Sequence, residues 1–81
     1  MKLPRDLGSE QLAKALKKYG YRVTRQTGSH IRLTSTFKGR EHHITIVSAS
    51  LLKVGTTDGV LRDVASYLEI DKQRLLEILF S

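Results

Sequence analysis

A tight turn at Gly28-Ser29 constrains this 81-residue chain more than any other feature of its sequence. Glycine adopts a positive φ angle without steric cost, so the chain can reverse its direction there. Beyond the turn, apolar and polar side chains alternate, as they do along a half-buried β-strand. Ile31 and Leu33 point to one face, and His30 and Arg32 point to the other. The stretch therefore predicts a β-hairpin with a histidine on the face opposite the core.

His30 is the residue at which we expect chemistry, if this chain performs any. Imidazole is the side chain that most readily both accepts and donates a proton near neutral pH. A histidine at an exposed strand position more often has no role beyond the surface. The adjacent turn and the neighbouring cation Arg32 favour the functional interpretation here.

The segments around the hairpin predict an opening helix and two further strands. Ser9 is a good N-cap residue, Gly20 suits the C-terminal end of a helix, and an apolar stripe lies between them. Strands are expected over residues 21–26, 30–36 and 41–47, with a second reversal at Gly39. Regular alternation groups Arg25 with Tyr21 and Val23 on one face of the first strand.

Two more helices complete the expected layout. The second is predicted to begin at Thr56 or Thr57, and the third to run over residues 72–80 after Asp71 as its N-cap. The order predicts an α+β fold: a three-stranded antiparallel sheet with helices on one face, and a short C-terminal helix. We expect residues 1–81 to form a single domain, with its core over about 9–69 and the extra helix over about 71–80.

Charge is spread unevenly along the chain. Residues 1–40 carry a net charge of +8 and residues 41–81 a net charge of −2. A basic half is typical of a protein that binds a polyanion such as nucleic acid, although a solvated surface gives the same pattern. The first helix carries a cationic stripe formed by Lys14, Lys17 and Lys18. The same two interpretations, a polyanion-binding surface and a solvated surface, apply to this stripe.

Composition predicts a cytoplasmic protein without metal or cofactor. There are no cysteines, and neither a signal peptide nor a membrane span is apparent. His42 and His43 are adjacent on a strand and so face opposite ways, which prevents them from binding one metal ion. His43 is a candidate second proton donor, but a surface histidine is the preferred interpretation.

The sequence resembles the HicA-type toxins, the small ribonuclease components of HicAB toxin–antitoxin pairs. The resemblance extends from Ser9 to about Ala65 and rests on motifs that occur in the family's order. These are Lys18-Tyr19-Gly20-Tyr21, Arg25-Gln26-Thr27-Gly28-Ser29-His30, Ile44-Thr45-Ile46 and Leu52-Lys53-Val54-Gly55-Thr56.

The resemblance implies a fold like a double-stranded RNA-binding domain, cleavage of mRNA and inhibition by a HicB-like antitoxin. The family's active-site histidine maps onto His30. We therefore predict a metal-independent endoribonuclease, with Gly28 and Ser29 supporting the turn beside the catalytic residue. The predicted RNA-binding residues are Lys14, Lys17, Lys18, Arg32 and Lys53.

Two other functions remain open at this point: a non-catalytic RNA-binding module, and an inactive toxin-like domain that binds only protein partners. Lys53, with the backbone amides of Gly55 and Thr56, would form an anion site if it faces the sheet surface; otherwise it only precedes a capped helix. The apolar segment from Leu75 to Phe80 either packs on the domain or binds a second protomer or an antitoxin.

Overall fold

A computed structural model describes residues 6–80, in which one helix precedes three strands and two further helices. The elements are α1 (Ser9–Leu16), which continues as a 3₁₀ turn (Lys17–Tyr19), β1 (Arg22–Thr27), β2 (His30–Ser35), β3 (His42–Val47), α2 (Val54–Leu68) and α3 (Lys72–Phe80). The predicted α+β fold class and the predicted order of elements are confirmed.

The three strands form an antiparallel meander in the order β1-β2-β3. Ile31 lies opposite Ile46, and Leu33 lies opposite Ile44, so four apolar side chains share one face of the sheet. All four are at most 8% exposed. The alternation predicted for β2 and β3 is therefore correct. It leaves the opposite face, which we call the open face, to polar side chains and the exposed Val47.

Helices α1 and α2 cover the apolar face. Leu12 and Leu16 of α1 and Leu61 and Val64 of α2 are fully buried there. At about 25 cal/mol per Å² of apolar surface removed from water, such side chains each contribute roughly 1.5–3 kcal/mol to folding. The core therefore lies between the helical layer and the sheet, and none of the helices described over residues 6–80 covers the open face.

Helix α3 packs on the rest of the domain through Leu75, Leu76 and Leu79, each at most 5% exposed. It contacts both α1 and α2. Of the two fates considered for the C-terminal apolar segment, packing on the domain is the one observed for these three side chains. Across residues 6–80, no helix combines the length and the apolar character needed to cross a membrane.

The start of α1 differs from the prediction, because Gly8 rather than Ser9 is the N-cap residue. The Ser9 hydroxyl instead donates to the carbonyl of Ala49 and accepts from the Ala49 amide, both at 3.0 Å. A Cβ atom at position 8 would lie 2.5 Å from the carbonyl oxygen of Ser50. Glycine at position 8 thus allows α1 to begin directly against the β3–α2 connection, and Ser9 fastens the two together.

The predicted start of α2 at Thr56 or Thr57 is also wrong: the helix begins at Val54, with Lys53 as its N-cap. Thr57 is buried, and its hydroxyl donates to the carbonyl of Lys53 at 3.3 Å. This is the bond that a threonine inside a helix makes to the residue four positions earlier, whereas a capping hydroxyl accepts from a backbone amide. The Thr57 hydroxyl therefore bonds to a carbonyl within α2 and does not cap the helix.

Candidate active site

His30 is the first residue of β2 and lies at the exposed end of the β1–β2 hairpin. It is paired with Thr27 of β1 and with Val47 of β3. Within residues 6–80, its imidazole forms neither a hydrogen bond nor an ion pair. A ring with both nitrogen atoms unoccupied by protein partners can accept a proton from, or donate one to, a bound molecule.

The hairpin beside His30 is held by backbone geometry. Gly28 has a φ angle of +56°, in the left-handed region that favours glycine. The amide of Ser48, just beyond β3, donates to the carbonyl of Ser29 at 2.6 Å. Both predicted supporting residues therefore lie in the turn, and Ser29 fixes it through its main chain to the end of β3.

Because β3 ends at Val47, the connection that follows it leads into α2 at the same end of the sheet as His30. Hydrogen bonds between Ser9 and Ala49 of that connection place the start of α1 there as well. Val47, the strand partner of His30, lines a shallow depression with Leu51, Lys53 and Thr56. Lys53, Gly55 and Thr56 are all exposed. The predicted cation at the start of α2 thus borders the strand neighbour of the candidate catalytic residue.

The lysine stripe lies away from this end, in the helical layer. Lys14, Lys17 and Lys18 are exposed on α1 and its 3₁₀ extension. Lys18 Nζ donates to the carbonyl of Ile78 at 2.7 Å, which places its charge at the C-terminal end of α3. A cation at that position also complements the helix dipole. The structure therefore gives Lys18 an intramolecular partner and does not bring the stripe together with His30.

Arg32 lies on the open face, as predicted. Arg25, which was predicted to share a face with Tyr21 and Val23, lies beside it. A β-bulge between Val23 and Arg25 shifts the register, so that Arg25 pairs with Arg32. The expectation that Arg25 shares a face with Tyr21 and Val23 is therefore wrong. A bulge adds one residue to a strand, and every later side chain of that strand then points to the opposite face. Simple alternation carries no signal for such an insertion.

His43 also lies on the open face, paired with Thr34, and its Nδ1 atom is 2.7 Å from the Thr34 hydroxyl. His30 is paired with Val47, four residues further along β3. At about 3.3 Å per residue, this separates the two histidine positions by roughly 13 Å. Direct proton transfer by both rings at one phosphate is incompatible with that separation.

His42 faces the helical layer, as the alternation predicts, and forms a network that sequence reasoning did not identify. Its Nδ1 atom lies 2.6 Å from the Tyr21 hydroxyl, and its Nε2 atom lies 3.2 Å from Asp63. Its ring stacks on Tyr67 with the ring centroids 4.5 Å apart. Burial, reinforced by Tyr67 and Asp63, raises the pKa of Tyr21 above its usual value. These contacts join the residue before β1 to β3 and α2, so the network is structural.

Among residues 6–80, no group of three or more histidine, cysteine, aspartate or glutamate side chains is arranged to hold a metal ion. The open face offers cations, hydroxyl groups and imidazoles. That set suits a phosphate-bearing ligand, because arginine and lysine make charge-assisted hydrogen bonds to phosphate oxygens.

The fold and the site describe a small basic α+β domain with an exposed histidine at a hairpin. Comparison with known proteins assigns this domain to a family. The family model described as the HicA toxin of bacterial toxin–antitoxin systems matches residues 9–65. The chain belongs to this family of toxins. An antitoxin is accordingly its expected partner. No curated protein and no solved structure matches the chain.

Proposed function

We propose that this toxin is a metal-independent endoribonuclease that cleaves mRNA, with His30 as its proton-transfer group. The observation that carries the proposal is the placement of His30. Its exposed imidazole, unpaired within residues 6–80, lies at the first position of β2 and inside the region that matches the toxin family. Arg32, two residues along the same face, supplies a cation close to it.

The reaction requires only groups of this kind. A base removes the proton from a ribose 2′-hydroxyl, and the resulting oxygen attacks the adjacent phosphorus atom. As that bond forms, the bond from phosphorus to the 5′-oxygen breaks, and an acid protonates the leaving oxygen. The products are a 2′,3′-cyclic phosphate and a free 5′-hydroxyl. Cations stabilise the additional negative charge on the phosphate as it develops. His30 serves as one proton-transfer group, and Arg32 as a phosphate contact.

The other predicted RNA-binding residues have two different roles in this proposal. Lys53 borders Val47, the strand partner of His30, and contacts the RNA strand that is being cut. Lys14, Lys17 and Lys18 lie in the helical layer and contribute long-range attraction for the polyanion. Added salt should therefore strongly reduce the contribution of these lysines to RNA binding. It should have a smaller influence on their contribution to the rate of the chemical step.

An antitoxin related to HicB would silence the toxin by covering His30 and the open face. Occupation of this surface excludes RNA from the imidazole and from Arg32 at the same time. The cytoplasm, where mRNA is found, is the compartment in which such a pair would act.

The test is incubation of the purified protein and its His30→Ala variant with a defined mRNA in the presence of EDTA, followed by a sequencing gel. We expect cleavage by the wild type and none by the variant, and circular dichroism should show the same fold for both. A His42→Gln variant that remains folded is the matched histidine control, and it should still cleave. Unchanged cleavage by His30→Ala would refute the catalytic assignment.

Binding of RNA by a folded wild type that yields no products would refute the nuclease proposal. That result would favour the non-catalytic RNA-binding module. Cleavage that disappears only when EDTA is added would refute the metal-independent chemistry and leave the toxin a nuclease of another kind.

A further inference from the structure

The open face carries a groove with a volume of about 420 Å³, which we call the arginine groove. Three arginines provide its charge, and threonines and His43 provide its hydrogen-bonding groups. Among residues 6–80, Glu41 is the one acidic residue that lines it. The side chains that line it include Arg22, Thr24, Arg25, Arg32, Thr34 and His43.

The bulge in β1 is what assembles this groove. Arg22 pairs with Thr34 before the bulge, and Arg25 pairs with Arg32 after it. In a strand without the extra residue, positions 22 and 25 would face opposite ways, because they are three positions apart and successive side chains alternate. Bulges redirect side chains in this manner and are frequent next to binding sites. The insertion therefore brings two arginines of β1 to the same side as Arg32.

The charge of the groove is left unbalanced by the protein itself. Within residues 6–80, none of Arg22, Arg25 and Arg32 forms an ion pair. Several basic residues elsewhere have acidic partners, among them Lys38, which lies 3.3 Å from Glu69, and Arg62, which lies 2.8 Å from Asp58. Like charges directly opposite each other on neighbouring strands destabilise a sheet. A juxtaposition such as Arg25 with Arg32 is relieved when an anion binds between the two side chains.

Hydrogen bonds hold the hydroxyl groups of the groove in place. The Thr24 and Thr34 hydroxyls are 2.8 Å apart, and Thr34 is in turn 2.7 Å from Nδ1 of His43. Thr24 belongs to the bulge, so this chain of contacts ties the bulged segment to β3 across β2. The polar surface between the arginines is therefore held in one arrangement.

We propose that the arginine groove binds the phosphate backbone of the RNA strand beside the bond that His30 cleaves. This inference rests on the proposed function and extends it to Arg22 and Arg25. Arg32, which lines the groove, and His30 are two residues apart on one strand and so about 7 Å apart along it, which places the groove beside the catalytic position. Guanidinium groups donate two parallel hydrogen bonds to phosphate, and such contacts position a strand without reading its bases.

The test measures binding in the His30→Ala background, which lacks the proposed catalytic group, and a gel run after each titration checks that the RNA is intact. A fluorescein-labelled single-stranded RNA oligonucleotide is titrated by fluorescence anisotropy over a series of NaCl concentrations, with Arg25→Gln or Arg22→Gln added to the background. Each substitution should weaken binding several-fold and reduce the slope of log K against log salt by about 0.7. The oligonucleotide's sequence should not alter these losses.

Arg74→Gln is the matched control, because it removes the same charge from α3. Arg74 is exposed and has an acidic neighbour, with its Nη1 atom 3.9 Å from Glu77. We expect this variant to bind with nearly the slope of the parent. Equal slopes for Arg25→Gln, Arg22→Gln and the parent would overturn the proposal, and so would an equal loss in Arg74→Gln, since the effect would then be one of net charge alone.

The outcome for the groove is separable from the outcome for the nuclease. Loss of affinity in the groove variants, with no cleavage by the wild type, would support the groove and refute the proposed function. Cleavage by the wild type, with binding unaffected by the groove substitutions, would refute the groove and support the proposed function. Thermal unfolding of each variant identifies any loss of binding that comes from loss of the fold.

Discussion

The Tyr21 hydroxyl lies 2.6 Å from Nδ1 of His42, and the opposite nitrogen of that ring lies 3.2 Å from Asp63. Tyr21 is only 1% exposed, and the contact connects the residue before β1 to the first residue of β3. Hydrogen bonds between buried polar groups are costly to break, because the partner left behind has no water to replace the lost bond.

Tyr21→Phe should therefore lower the free energy of unfolding by about 1–3 kcal/mol, since it leaves His42 Nδ1 unsatisfied. Urea denaturation followed by circular dichroism measures the change. Tyr19→Phe is the control, because the Tyr19 hydroxyl has no hydrogen-bond partner within residues 6–80. Equal stability of Tyr21→Phe and the wild type would show that the network contributes nothing to folding.

The raised pKa of Tyr21 predicts a loss of stability in alkali. Burial is the main cause, with Tyr67 and Asp63 adding to it, so the folded protein retains a proton that the unfolded chain releases near its ordinary pKa of 10.0. Stability is then complete below about pH 10 and decreases as the pH rises further. Denaturation curves at several alkaline pH values should show this slope, and Tyr21→Phe should reduce it.

His43→Asn should leave the rate of RNA cleavage at saturating RNA close to that of the wild type, because His43 lies too far along β3 to share a phosphate with His30. Loss of a general acid or base costs about 10²–10⁴-fold in rate, which is the loss expected for His30→Ala. Single-turnover kinetics measures both. A loss of that size in His43→Asn would assign His43 to the chemistry instead.

Arg25→Gln should stabilise the protein in the absence of RNA by about 0.2–1 kcal/mol, since it removes a like charge opposite Arg32. The melting temperature at low ionic strength should rise, and the difference should shrink as salt screens the repulsion. Arg22→Gln is the comparison, because Arg22 lies opposite Thr34 and should respond less. A fall in the melting temperature of Arg25→Gln would contradict the repulsion.

Leu76→Ala should destabilise the protein by about 2–5 kcal/mol, the cost of a cavity at a fully packed leucine. Urea denaturation again provides the measurement. Ile78→Ala, at a partly exposed position of the same helix, should cost distinctly less. Similar losses at the two positions would show that α3 does not pack as described.

Much of the fold follows from local sequence. Alternation set the facing of His30, Ile31, Arg32 and Leu33, because a strand offers only two directions to its side chains. Gly28 and Gly39 adopt positive φ angles at the reversals where they were expected. Such features depend on a residue and its immediate neighbours, so a sequence can reveal them.

Two side chains bond to backbone groups that lie far away in the sequence, which the local pattern does not show. Ser9 bonds to Ala49 rather than capping α1, and Lys18 bonds to a carbonyl of α3 rather than standing free in the lysine stripe. Neither partner is near in sequence, so neither choice is visible in the local pattern.

The sequence by itself determined the order of the elements, the two faces of β2 and β3, and a candidate histidine at an exposed hairpin. The tertiary structure alone decided the neighbours of that histidine across the sheet, the facing of Arg25 and the Tyr21–His42–Asp63 network. The reason is physical: the direction of a side chain is set within one strand, whereas a bulge and a strand register are set by pairing with another.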